Sequence, residues 1–166
     1  MPTSVAKPSS RLAAPLRALV RAALASQGRR AGEIGIVLTD DAAVRALNRR
    51  WRGIDRATDV LSFGYDDGAP ADGASALLRA GRAAPPPVNG DLVISLDRMR
   101  AQAKRYRVSD ARELARLVVH GALHLAGLDH HRATERARMR AVEARVLRGA
   151  RATIAALERG LARGAR

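Results

Sequence analysis

The sequence contains no cysteine, which excludes disulfide scaffolds and thiolate metal sites. Aromatic side chains are nearly absent as well. Trp51, Phe63, Tyr65 and Tyr106 are the whole set, so few rings are available for stacking. No apolar run approaches the roughly 20 residues that a membrane span needs. No acid precedes Glu33. An acid-free, Arg- and Ser-containing start resembles an organellar transit peptide. However, Leu12, Leu16, Leu19, Val20 and Leu24 recur at helical spacing and run straight into a strand-like segment, so the stretch reads as an ordinary amphipathic helix. The cytoplasm is the compartment expected by default.

What is present is charge of one sign. The 166 residues carry 30 Lys plus Arg against 16 acids, a formal net charge of +14. Lys7 and Lys104 are the only lysines, so nearly all of the positive charge is arginine. Such an excess points to a polyanionic partner, most simply nucleic acid. Joint enrichment in arginine and alanine also arises from codon bias, so charge alone identifies no partner.

The length fits one domain with a real core. A first helix is expected from about Pro15 to Gln27, ended by Gly28. Glu33–Thr39 reads as a strand. Thr39 or Asp40 then caps a helix to about Arg50, with Trp51, Arg52 and Gly53 turning away. Thr58–Tyr65 is the second strand, with Val60, Ser62 and Gly64 on one face and Leu61 and Phe63 on the other. Residues 66–89 form an irregular insertion ending in three prolines. Asp91–Leu96 is the third strand, followed by a helix from about Asp97 to Tyr106.

Ser109 or Asp110 caps the next helix. With Asp110 as cap, Glu113 stands where it can reach back to the backbone. This helix is apolar on most sides and should be central, and Gly127 ends it. A further helix over about Thr134–Leu147 buries Met139, Val142, Val146 and Leu147. The segment after Gly149 is Arg-rich and helical in part. The expected fold is therefore α+β: a small mixed β-sheet of three to four strands covered by about five to six helices. The organisation is a basic segment and first helix over 1–32, within the same domain as a core over 33–149, and a tail over 150–166.

All four histidines fall in one window, HGALHLAGLDHH. His120 and His124 are four apart on a helix, so they leave one face with Cβ atoms roughly 6 Å apart. Both imidazoles can then reach one ion at about 2.0–2.1 Å. Gly127 lets the chain leave the helix in a left-handed conformation and bring a third histidine back over that face. On spacing, His130 and His131 compete for that place. Three protein ligands leave a fourth position open, the pattern of catalytic zinc. Asp129 is either a partner that orients an imidazole or a loop cap. Zinc proteases of the H-E-x-x-H type carry a glutamate after the first histidine as general base. Here that residue is Gly121.

HGALHLAGLDH resembles the H-G-x-L-H-L-x-G-Y-D-H signature of the YbeY family of metal-dependent endoribonucleases of ribosomal RNA maturation. NRRWRGIDRATDVLSF is similar to that family's N-x-x-[YF]-R-x-x-x-x-P-T-[DN]-V-L-S-F block, and NGDLVISL to its L-G-D-[IV]-x-[IV] strand. Glu135, Met139, Glu143 and Leu147 follow its E-x-x-x-M-x-x-x-E-x-x-x-L helix. The similarity runs from about Glu33 to Gly149. Ala57 and Gly64 replace prolines of the family pattern, Leu128 replaces a tyrosine, and only Ser4–Ala6 could form the strand expected before the first helix.

The resemblance implies a zincin-like metal helix with His120, His124 and His130 as ligands to one metal ion, expected to be zinc. It maps the family's important arginine onto Arg52, where a guanidinium suits a scissile phosphate. Asp59, Ser62 and Asp91 lie in matched blocks, with turn, strand-edge or cap roles equally open to them. The implied activity is cleavage of single-stranded RNA near the 3′ end of small-subunit ribosomal RNA and in ribosome quality control. The implied partners are ribosomal RNA and the ribosome or its small-subunit precursor. Two other readings are an RNA-binding assembly factor with a structural metal, and a zinc hydrolase of peptides or small molecules. Gly121 lowers the last.

Overall fold

Helical spacing of leucines sets where the first element starts. A computed structural model describes residues 8–65, 85–128 and 131–164, and in it α1 spans Ser10–Ala25. Leu12 and Leu16 are both buried, so the apolar stripe carries the helix upstream of Pro15, which it holds in its interior. Strand β1 covers Ala31–Thr39. Helix α2 covers Asp41–Arg52, with the Asp40 carboxylate accepting from the Ala43 amide at 2.8 Å. It runs two residues past Arg50 and is stopped by Gly53, whose φ of 70° is left-handed. Arg52 is thus the last helical residue, not part of a turn.

Strand β2 is Val60–Gly64, shorter than its apolar stretch. Asp59 sets its start: the side chain accepts from the Val60 amide at 2.8 Å and the carbonyl from Ser95 N–H at 2.9 Å. Strand β3 is Val88–Ser95, starting inside the stretch read as insertion. The Val88 amide donates to the Arg30 carbonyl, and Asn89 Oδ1 accepts from the Glu33 amide at 2.7 Å. This side-chain bridge spans an irregularity in β1 between Ala31 and Ile34 that no two-residue alternation would reveal. The rest of the insertion, 66–84, and the candidate strand Ser4–Ala6 lie outside the described residues.

The sheet order is β1-β3-β2, with β1 parallel and β2 antiparallel to β3. It is the small mixed sheet of an α+β fold. One face, through Ile36, Leu38, Leu92 and Ile94, joins the main core. The other buries Leu61 and Val93 against Val44 of α2, with Phe63 packed alongside.

Four more helices follow: α3 Leu96–Tyr106, α4 Asp110–Leu125, α5 Ala133–Gly149 and α6 Arg151–Gly164. Helix α4 is central, with Leu114, Leu117, Val118, Val119, Ala122 and Leu123 fully buried. Its cap is Ser109, which accepts from the Arg112 amide at 3.2 Å, so Asp110 is the first helical residue instead. Glu113 therefore does not close a capping box. It is buried and grips Arg116 through both carboxylate oxygens. The Arg-rich C-terminal segment seats Ile154 and Leu157 in the core, where Gly160 lets α6 approach Leu12 of α1 closely. Among the described residues no helix is long and apolar enough to cross a membrane.

Candidate metal centre

The four-residue repeat in α4 does what helical geometry requires. The His120 and His124 rings leave the same face with centroids 4.6 Å apart and planes at 76°. Their Nε2 atoms stand 3.1 Å apart. Two nitrogens each about 2.0–2.1 Å from one ion can hold that spacing.

Behind His120 stands a residue to which the sequence reading gave no role. Glu143, on the buried stripe of α5, places Oε1 2.5 Å from His120 Nδ1. The Glu143 side chain is only 10% exposed. A carboxylate in that position holds a proton on Nδ1 and leaves the Nε2 lone pair facing His124, the arrangement that orients metal-ligating imidazoles. The donor set therefore fits a cation. A signal was available in the sequence. An acid among Met139, Val142, Val146 and Leu147 is costly to bury without a partner, so its burial implies one.

Gly121, the position of the protease glutamate, faces the sheet. A Cβ there would lie 2.9 Å from Leu92 Cδ2, 3.1 Å from Ser62 Oγ and 3.2 Å from Val60 Cγ2. Ser62 Oγ donates to the Gly121 carbonyl at 3.1 Å. The position is closed by packing and cannot hold a general base. Ser62 fixes α4 to β2.

A cleft of about 710 Å³ opens beside the two imidazoles, lined also by Arg52, Asp59, Ser62 and His131. Arg52 reaches across β2, donating to the Ser62 carbonyl at 3.2 Å, with its guanidinium 5.9 Å from the centre of the Phe63 ring. Buried Asn48, one turn earlier in α2, holds the following loop through the Arg56 carbonyl at 2.7 Å. Asp59 accepts from Gln102 at 3.0 Å and lies 3.9 Å from Arg116. Burial works against the Arg116 charge, but the hydrogen bonds and charge of Glu113 outweigh it, with help from Asp59 and Glu143. Its guanidinium is held above the ordinary arginine range.

One sequence candidate stands elsewhere. Asp91 alternates with Leu92, whose side chain faces Gly121, so it points to the opposite side of the sheet, where it accepts from the Tyr65 hydroxyl. His130, together with Asp129, lies outside the described residues. His131 accepts at its carbonyl from Arg136 at 3.0 Å.

Comparison with known proteins gives one consistent result. A family model described as Endoribonuclease YbeY matches residues 4–151. A relative of that name from Roseiflexus sp. (strain RS-1) is 50% identical over 117 residues, covering 70% of this chain and 69% of its own. Another, from Anaeromyxobacter sp. (strain Fw109-5), is 43% identical over 145 residues, covering 87% and 68%. A third, from Anaeromyxobacter dehalogenans (strain 2CP-C), is 42% identical and covers 98% of this chain and 77% of its own. Among solved structures, a Thermotoga maritima protein determined in solution matches with a TM-score of 0.54 over 86% of this chain and 83% of its own. At 22% identity that likeness is one of fold alone.

Proposed function

The chain belongs to the YbeY family of endoribonucleases, and from that premise we propose that it cleaves single-stranded RNA with one metal ion held by His120, His124 and His130. Its proposed substrate is the 3′ region of small-subunit ribosomal RNA, on the ribosome or its precursor. Zinc is the proposed ion, since all-nitrogen ligands suit it, as they also suit copper, iron and nickel. The observation that carries the reading is the pair of Nε2 atoms 3.1 Å apart, backed by Glu143 and opening on the cleft that Arg52 lines.

When bound, such an ion activates water or the ribose 2′-hydroxyl and polarises a phosphoryl oxygen. The chain's own residues do the rest. Glu143 keeps the His120 proton on Nδ1, so Nε2 stays a lone-pair donor. Arg52 spends one N–H on the Ser62 carbonyl and lies against Phe63, which restrains the guanidinium before substrate arrives. Its remaining donors can take two phosphoryl oxygens and offset the charge that grows there as the linkage breaks. The cleft volume has room for a nucleotide-sized group. The closed position of Gly121 speaks against a peptidase.

The test is one panel. Wild type, His124→Ala and Arg52→Ala are purified, assayed for bound metal, and compared on single-stranded RNA and on a peptide. Arg52→Ala should keep its metal and lose about 10²–10³-fold in RNA cleavage, the cost of removing one charge-stabilising donor. His124→Ala should lose metal and cleavage together. Undiminished cleavage in both variants would assign the activity to a contaminating nuclease. His131→Ala should keep its metal, and loss of metal there would overturn the choice of His130.

A further inference from the structure

Helix α2 outruns the sheet it packs on. Val44, Leu47, Asn48 and Trp51 recur at helical spacing, so they belong to one inward-facing stripe. Val44 and Asn48 are buried, and Leu47 packs against the Val44 cluster. Trp51 closes the stripe, yet it is 63% exposed, and Ile54, just past Gly53, is exposed as well. All four residues of the last turn, 49–52, are exposed. An indole gains more from burial than almost any other side chain. Left in water at the end of a core stripe and rimmed by charge, it has the character of a binding surface.

The frame beneath the ring is fixed. The Ile54 amide donates to the Asn48 carbonyl at 3.3 Å, and the Asn48 side chain donates to the Arg56 carbonyl at 2.7 Å. Residues 49–56 hold four arginines, Arg49, Arg50, Arg52 and Arg56, against one acid, Asp55. Asp55 gives both carboxylate oxygens to Arg45, at 2.7 and 2.8 Å. The Arg50 guanidinium lies over the indole, 5.2 Å from the ring centre, so a planar group can take the opposite face. Arg52, the next residue, lines the cleft beside the two imidazoles. Ring and cleft are therefore continuous along one chain segment. Single-stranded RNA matches both features, its phosphates the arginines and its bases the flat ring. An acidic peptide matches the charge alone.

We infer that Trp51 is a base-stacking platform, on which an unpaired nucleobase beside the scissile linkage lies while the surrounding arginines attract the strand's phosphates. The inference rests on the nuclease reading. Stacking engages the face of a base and not its edge, so the platform tolerates every base and favours those that stack most strongly.

Trp51 is the only tryptophan of the chain, so intrinsic fluorescence reports this ring. The experiment titrates wild type with a single-stranded RNA, and with the same RNA carrying one abasic nucleotide moved stepwise across the cut. Emission, KM, kcat and bound metal are measured, with Trp51→Ala and Trp51→Phe run in parallel for the kinetics. Intact RNA should quench the indole. At one abasic position the quench should vanish and KM should rise about tenfold, within the range that losing one stacked base costs. Trp51→Ala should show the same rise on intact RNA, keep its metal, and show no further rise at that abasic position. Trp51→Phe should recover most of the loss. The log–log salt slope should stay as in wild type, because no phosphate contact is removed. RNA that is cleaved without quenching the indole would overturn the platform alone. Loss of metal in Trp51→Ala would replace it with a structural role. An indole already shielded from acrylamide in the free enzyme would mean that the chain covers the ring itself. A changed oligomeric state in Trp51→Ala would assign the ring to a second copy, and either result sinks the platform. A wild type inert on RNA would instead overturn the nuclease reading, and the platform with it.

Discussion

At Glu143 one carboxylate decides which nitrogen His120 offers. Replacing it with glutamine keeps the volume and removes the charge that holds the Nδ1 proton, so metal affinity should fall about 10–100-fold with the fold intact. Competition against a chelator reads the affinity, and a thermal melt the fold. An unchanged affinity would reduce the 2.5 Å contact to packing. The neighbouring histidines were legible in advance because i, i+4 spacing is a local rule. The glutamate was not, because its partner lies 23 residues away on another helix. Asp91 shows how little a block match decides by itself: the sequence leaves its role open, and strand alternation sends it to the far face. There it hydrogen-bonds Tyr65, and this bond, then burial and the charges of Asp91 and Glu33, hold the phenol above its usual pKa of 10.0. The sign follows from linkage. The neutral phenol is favoured in the folded state, so its contribution to stability is complete below pH 10 and is lost as pH rises through the raised value. Titration of tyrosinate absorbance should show Tyr65 ionising late in the wild type and nearer 10 in Asp91→Asn. Identical curves would mean that the pair is not formed in solution.

The elements were more legible than their ends, and the ends decide where Arg52 and Arg116 stand. Arg52 closes α2 because Gly53, not Trp51, is the stop, and two further helical residues aim the guanidinium over β2. The cap of α4 is Ser109, which frees Glu113 to enter the interior and pin Arg116. The second choice could not be made from capping preferences, since Ser and Asp rank alike. Closeness between elements is invisible to periodicity altogether. Gly121 reads in sequence as a missing base, whereas in the fold it is the point where α4 touches the sheet. Gly121→Ala would press a methyl to 2.9 Å from Leu92 Cδ2. We expect it to destabilise by about 1–3 kcal/mol, as over-packing does, and to weaken metal binding by displacing α4 from Ser62. Gly149→Ala is the control, since a Cβ there would meet no packing partner within 4 Å, and it should stay within about 0.5 kcal/mol. Urea denaturation of the two variants separates the outcomes. Equal stability would mean that the sheet yields at no cost and that the glycine has another purpose.

At the scale of the whole molecule, the net charge of +14 is distributed by what the acids do. Asp55 is engaged by Arg45, Asp41 by Arg98 and Glu113 by Arg116. Pairs as exposed as Arg45–Asp55 add little stability, but they remove acids from the electrostatic field that an RNA would meet. The excess includes arginines that line the cleft and a groove beside the candidate centre, such as Arg52 and Arg140. Exposed aromatic area is scarce and scattered, with Trp51 63% and Tyr106 56% exposed, so stacking cannot dominate binding as it does on ring-rich platforms. Affinity should come mainly from displaced counterions. With roughly three phosphates engaged, the log–log slope of single-stranded RNA affinity against salt is about −2, or more than tenfold lost between 50 and 200 mM. Fluorescence anisotropy with a labelled single strand checks this. A curve flat over that range would mean that the arginines serve solubility, and that recognition must be sought in the few rings and apolar surfaces the chain exposes.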